Sequence, residues 1–243
     1  MQKVQLLSFG KGNAKLSADI ITFSLPAGFT CPGAYLCQSY ADRVTGKIKD
    51  GKHTSFRCFA ASQESAYPNV RAARWNNFER LRACKSSGEM SDLILRSLDV
   101  SAKYVRIHVS GDYFSLAYLQ AWLNVASQRP DTVFYSYTKS GHLLAGLDIP
   151  ENFRITLSYG GKFDGLIESL GFKTARVVFD PVEAEALGLE IDHDDSHAYN
   201  DGESFALLIH GTQPAGSEAS QAIKALKAGK VKHSYSSKKT AAI

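Results

Sequence analysis

The sequence predicts an α/β fold: a partial or complete parallel βα barrel with an irregular cysteine-bearing N-terminal region. A doubly wound open sheet is the alternative. Three observations predict this. From residue 103 onward, short apolar runs take turns with helical patterns, as repeated βα units require. Glycine-containing or small polar sequence follows four of the five strands in that half, which is where a parallel sheet presents its ligand face. Residues 1–100 lack this rhythm and hold all four cysteines.

In chain order, Val4–Leu7 and Ile20–Leu25 read as strands. A Gly/Cys/Pro-rich loop follows, then helices over Val70–Cys84 and Met90–Leu98, the second with Ser91 as N-cap and Asp92 in its first turn. Tyr104–Val109 alternates strictly. Val105, Ile107 and Val109 fall on one side, and Tyr104, Arg106 and His108 on the other. Ser115 caps a helix with the stripe Leu116, Leu119, Trp122, Leu123 and Ala126. Strands Thr132–Tyr137, Phe153–Ser158, Thr174–Phe179 and Phe205–His210 follow, with helices over Asp164–Leu170 and Ser217–Lys227. The expected organisation is a single domain, 1–243. It comprises a cysteine-bearing N-terminal region over residues 1–100, βα units over 101–227 and a flexible basic tail over 228–243.

Composition bounds the function. With 44% hydrophobic and 21% charged residues, the chain resembles an ordinary globular protein. No apolar run reaches the roughly 20 residues that span a bilayer, and no apolar signal-peptide core opens the chain. A membrane partner is not expected, and the reducing cytoplasm is the expected setting. In that setting Cys31, Cys37, Cys58 and Cys84 read as metal ligands or buried thiols before they read as disulfides. Cys31 and Cys37 flank a Pro-Gly turn, which lets thiolates converge while amides face sulfide. Their five-residue gap is wide for a zinc knuckle. An iron–sulfur cluster, 4Fe–4S in type, is therefore the expected cofactor, with zinc as the alternative. If only three cysteines ligate, His210 at a strand end is the non-cysteine ligand to suspect.

Arg106 and His108 would point into a barrel interior, with Asp112 or a bound anion as the partner of Arg106. Together with Lys139 and Ser158 they form the expected catalytic lining, Lys139 or Arg106 meeting a small anionic ligand. His193, Asp195 and His197 are secondary candidates for a divalent metal, against the plainer reading of an acidic surface loop. Residues 1–100 are basic. Phe56, Phe59, Tyr67, Trp75 and Phe78 lie among Arg57, Arg71, Arg74, Arg80 and Arg82, which keeps open a nucleic-acid-associated protein with a structural cluster or zinc.

The segments LSFGKGNAKL, TFSLPAGFTCPGAYLC, RCFAASQE, YPNVRAARWNNF, RIHVSGDYFS, FYSYTKS and HDDSHA…ALLIHGTQPAGS together resemble the phage-associated "gene product 88" family over roughly residues 7–225. The resemblance implies a phage or prophage origin and a host-cytoplasm location. It also implies that Cys31, Cys37 and Cys58 belong to recurring motifs. A looser similarity is to radical S-adenosylmethionine (SAM) enzymes, which pair a partial βα barrel with a three-cysteine cluster. The sequence lacks their C-x₃-C-x₂-C loop, so that similarity does not carry a SAM-cleaving mechanism with it.

Overall fold

The computed structural model describes residues 5–12 and 16–231. Its N-terminal elements are β1 (Gly10–Lys11), β2 (Ile20–Ser24), β3 (Ser39–Ala41), β4 (Ile48–Asp50), α1 (Phe59–Ala66), α2 (Pro68–Ala83) and α3 (Ser87–Ser97). The βα units supply β5 (Tyr104–Ser110), α4 (Leu116–Gln128), β6 (Val133–Thr138), β7 (Phe153–Ser158), α5 (Ile167–Leu170), β8 (Thr174–Val178) and α6 (Pro181–Ala186). Then come β9 (Glu190–Ile191), α7 (Ser196–Tyr199), β10 (Phe205–Leu208) and α8 (Glu218–Ala228).

Eight strands make one sheet in the order β1-β2-β5-β6-β7-β8-β10-β9, parallel throughout except at β1–β2. The order climbs with the sequence and lacks the central reversal of a doubly wound sheet. Among the described residues no ladder joins the β1 edge to the β9 edge, so the sheet is open where the sequence left a closed barrel possible. It nevertheless curls. Tyr137 on β6 and Phe205 on β10 bring their rings to 6.0 Å with β7 and β8 between them. In a flat sheet those strands would lie about 14 Å apart.

The outer face carries the main core. Ile21, Phe23, Val105, Ile107, Phe134 and Ile155 pack against α3 and α4, with Trp122 fully buried among them. Helix α4 buries a wider face than its predicted stripe because both the sheet and α3 cover it, while Leu116 is exposed. Ser115 caps it as predicted, accepting from the Tyr118 amide. The cap of α3 is Ser86, not Ser91; Ser91 lies inside the helix, bonded to the Ser87 and Ala121 carbonyls. Residues 5–7 form no strand, and Val4 and the tail beyond Val231 lie outside the described residues.

The concave face is closed by α7. Asp195 at its start is fully buried, bonded to Arg106 at 2.5 Å and to the hydroxyls of Tyr137 (3.2 Å) and Tyr135 (3.4 Å). This corrects two expectations. The partner of Arg106 is Asp195 rather than Asp112, and Asp195 is committed to an ion pair rather than to a metal. His197 bonds Asp192 and Glu190, and His193 is exposed, so the three secondary candidates do not converge.

Strand β5 also departs from simple alternation. Thr22 pairs with Arg106 but Ser24 pairs with Ser110, so four residues of β5 stand against two of β2. The bulge puts His108 at φ 67°, a conformation that costs a non-glycine residue about 1–3 kcal/mol. Its ring swings away from Arg106 to the helix side. There it lies edge-on to Tyr113 and tilted against Tyr118, with Nε2 3.0 Å from the Tyr118 hydroxyl. Interior placement of His108 is thus overturned by the bulge.

Two outcomes follow from this packing. Burial, aided by the Arg106 charge, holds His108 down to about 3 from its ordinary 6.5. The stability it contributes is full above pH 6.5 and is lost as pH falls toward 3, at about 1.4 kcal/mol per pH unit. His108→Asn suits the left-handed backbone and cannot titrate, so its urea-unfolding free energy should fall less steeply across that window. Asp195→Ala removes the buried carboxylate that binds Arg106 and two tyrosine hydroxyls and should destabilise by about 3–5 kcal/mol. The pair variant Arg106→Leu/Asp195→Leu should cost much less, read by the same unfolding curves.

Candidate functional site

The carboxyl ends of β2, β5, β6, β7, β8 and β10 all open on one edge. The chain leaves β2 directly into the loop carrying Cys31 and Cys37, which folds back over that edge. The loop is stitched at its base by Thr30, whose amide and hydroxyl both donate to the Pro26 carbonyl. Gly33 lies so close to the Lys139 carbonyl at the end of β6 that a β-carbon would collide with it. Lys162 donates its amide to the Gly33 carbonyl and its ammonium to Pro32, Ala34 bridges Gly161, and Leu36 donates to Gly160. The loop is therefore fastened to the end of β7.

Cys58 arrives from a second segment, as the N-cap residue of α1. Gln213, beyond β10, clamps that segment by accepting from the Arg57 amide at 2.7 Å and donating to the Arg57 carbonyl at 3.0 Å. The Phe59 ring lies 4.9 Å from the His210 ring, and Gly211 presses against Phe59 where a side chain would not fit. His210 thus stands beside the Cys58 segment, its Nδ1 3.3 Å from the Leu208 carbonyl.

The two segments bring three thiols together. All are free and half-buried. Burial pushes the Cys31 thiol well up, and the charges of Asp112, Cys58 and Cys37 push it further. Cys58 is raised to about 11 by burial and by Cys37, against the pull of the Ala60 and Ala61 amides and of Arg74. Cys31 feels the charges of Cys58 and Cys37, and Cys58 that of Cys37, so the three thiols lie within electrostatic reach of one another. Cys84 is not among them. It ends α2, its Sγ 3.4 Å from the Arg80 carbonyl, packed on the outer core, with Glu89 and Arg96 as the charges it feels. The expected set of four divides into three plus one, because α2 carries Cys84 away from the strand edge.

The expected catalytic lining is engaged in structure. Asp112 is buried and accepts from the Tyr113 amide (2.7 Å), the Thr138 hydroxyl (2.6 Å), the Lys139 amide (2.9 Å) and the Ser140 hydroxyl (3.2 Å). The Lys139 ammonium donates to the Ser158 hydroxyl (2.5 Å) and to the carbonyls of Tyr159 (2.6 Å) and Ser158 (3.3 Å), joining β6 to β7. Arg106 pairs with Asp195, and His108 Nε2 lies at the Tyr118 hydroxyl while its Nδ1 is buried without a hydrogen-bond partner. Four of the five arginines that suggested nucleic acid are engaged too, while Arg82 is exposed over the Phe78 ring. Arg57 pairs with Asp50, Arg74 with Glu64, Arg71 donates to the Glu64 and Arg43 carbonyls, and Arg80 to the Leu6 carbonyl.

Among the described residues, no group of three His, Cys, Asp or Glu side chains is arranged to hold a single metal ion. The groups within electrostatic reach of Cys31 are the thiols of Cys37 and Cys58 and the carboxylate of Asp112, and thiols are soft ligands suited to zinc, copper(I) or iron–sulfur chemistry. The sequence reading missed Glu64 and Gln213, and took Arg74 only as a possible nucleic-acid contact. No periodicity marks them, since each acts on a segment brought near only by the fold.

Comparison with known proteins bears on identity. The chain is 27% identical over 141 residues to the Gene 88 protein of Mycobacterium phage L5, covering 53% of this chain and 51% of that protein. To the Gene 88 protein of Mycobacterium phage D29 it is 26% identical over 141 residues, covering 53% and 50%. The matched stretch thus spans about half the length of these curated relatives. No solved structure matches, and neither the family match nor these relatives supports the likeness to radical SAM enzymes. The model of the family described as Gene product 88 matches residues 5–233, nearly the whole chain, and the protein belongs to that family.

Proposed function

We propose that this phage-family protein binds an iron–sulfur cluster, with Cys31, Cys37 and Cys58 as its thiolate ligands and the carboxyl edge of the parallel sheet as its floor. The observation that carries this is the convergence of three free, half-buried thiols from two separate segments, each segment fastened to strand ends. Three thiolates crowded in a poorly solvated place repel one another. A cationic iron core offsets that repulsion, and it displaces thiol protons that burial otherwise holds in place. A cluster spreads its thiolates over a wider span than a single ion does, so the reading does not need them gathered around one point. The Pro-Gly turn between Cys31 and Cys37 leaves loop amides available to sulfide. The fourth position falls to an exogenous ligand or to His210, whose ring lies against Phe59 next to Cys58. The reducing host cytoplasm, where such thiols persist, is the compartment this reading requires. When bound, the cluster would supply electron transfer or, through an open iron, Lewis acidity. The chain's own role is to hold the three sulfurs and to limit water at the site.

The test is direct. Protein prepared without oxygen should be brown, absorb at about 400 nm, and contain iron and acid-labile sulfide. Cys31→Ala, Cys37→Ala and Cys58→Ala should each lose most of the iron, and Cys84→Ala should keep it. A colourless, iron-free protein whose Cys31→Ala variant melts like the wild type would falsify the reading. A colourless protein holding zinc would replace it with a zinc site.

A further inference from the structure

We propose that the β3–β4 ribbon, with Phe29 beside it, is a binding surface for single-stranded nucleic acid. The inference is independent of the cluster reading, since it uses none of the thiols.

The ribbon buries its small residues and exposes its large one. Ser39 and Ala41 of β3 are buried where the strand packs on α1, while Tyr40 between them faces outward at 37% exposure. Lys49 stands directly opposite Tyr40 in the antiparallel register, so the two share the outer face. At the open end of the ribbon, Tyr35 stacks on His53 with ring centroids 4.5 Å apart, and both side chains are exposed. Gly28 presses so closely on the Ser39 carbonyl and on Tyr40 that a β-carbon would collide, which sets Phe29 next to the ribbon. Phe29 is 55% exposed and is backed by Trp75 at 4.7 Å. Burial does not explain three aromatic rings held at the surface around one short hairpin.

The charges around these rings are unbalanced. Lys47, Lys49 and Lys52 are exposed, and among the described residues none of them forms a salt bridge. The neighbouring carboxylates are already engaged. Asp42 accepts from the Val44 and Thr45 amides and the Thr45 hydroxyl of its own turn, Asp50 pairs with Arg57, and Glu79 pairs with Arg43. Five cations, Arg43, Lys47, Lys49, Lys52 and Arg57, thus stand against three carboxylates. The surface is not the one the sequence suggested, because Phe29, Tyr35, Tyr40 and the three lysines lie outside that set.

This combination selects the partner. Phosphates would meet the lysines and release counterions, and unstacked bases would lie on the exposed rings. A duplex covers its base faces and leaves the rings nothing to stack on. An acidic protein would match the lysines but has no need of flat aromatic faces.

The test is fluorescence anisotropy of the full chain with labelled oligothymidylate and oligouridylate, each about 20 nucleotides long, at about 50 and about 200 mM salt. Binding of either strand, weakening with salt, supports the proposal, and the tighter strand tells DNA from RNA. Lys47→Gln/Lys49→Gln/Lys52→Gln should lower the slope of log affinity against log salt by about 2. Tyr40→Leu should weaken binding on the order of fivefold or more, while Tyr40→Phe keeps it. All these sites are exposed, and circular dichroism checks that each variant is folded. A duplex should bind more weakly and be indifferent to Tyr40→Leu. No binding at about 50 mM salt, or a folded triple-lysine variant with wild-type affinity and slope, would overturn the proposal. Equal displacement of the strand by polyglutamate, with Tyr40→Leu indistinguishable from the wild type, would overturn it in favour of an acidic protein partner.

Discussion

Where β5 and β6 end, the carboxylate of Asp112 is buried and accepts four hydrogen bonds, two from backbone amides and two from hydroxyls. Burial pushes its proton affinity up while the Thr138 hydroxyl and the Lys139 and Tyr113 amides pull it back. The rest of the strand edge depends on this group. It fixes Lys139, whose carbonyl receives Gly33 of the thiol loop and whose ammonium ties β7. Its charge also reaches Cys31. A parallel sheet leaves the turns after its strands without ladder partners, and a carboxylate saturated with donors holds several of them at once. Asp112 therefore works as a clamp on the strand edge.

The curled sheet separates two tasks. Its outer face is apolar and packs on α3 and α4, supplying most of the hydrophobic burial. Its concave face is polar and aromatic, and Asp195 closes it through Arg106 and two tyrosines. That face is therefore not the ligand cavity that a barrel interior would have suggested. What remains for chemistry is the strand edge, where loops from both halves of the chain meet over the ends of β6, β7 and β10.

Much of this was legible in the sequence, for reasons that can be named. Strands Ile20–Ser24, Val133–Thr138 and Phe153–Ser158 announce themselves because β-branched and aromatic residues crowd short runs, and the cap at Ser115 matches its helix. The hairpin β3–β4 is short and polar, and α1 reads FAASQESA with no apolar stripe, so neither carries a periodic signal. His108 was misplaced because a bulge changes side-chain direction without changing residue types. Asp195 could not be matched to Arg106 because the two lie 89 residues apart and only the curl of the sheet joins them. The cysteines show the same limit. Composition and spacing flagged all four, but only the path of α2 separates Cys84 from the other three.

The central claim is that three thiols over this edge hold iron through sulfur. X-ray absorption at the iron edge, on protein prepared without oxygen, reads the ligand atoms directly. The account predicts a sulfur-dominated first shell with a short iron–iron vector, both lost in Cys58→Ala. A first shell of nitrogen and oxygen, or an iron signal unchanged in Cys58→Ala, would contradict it.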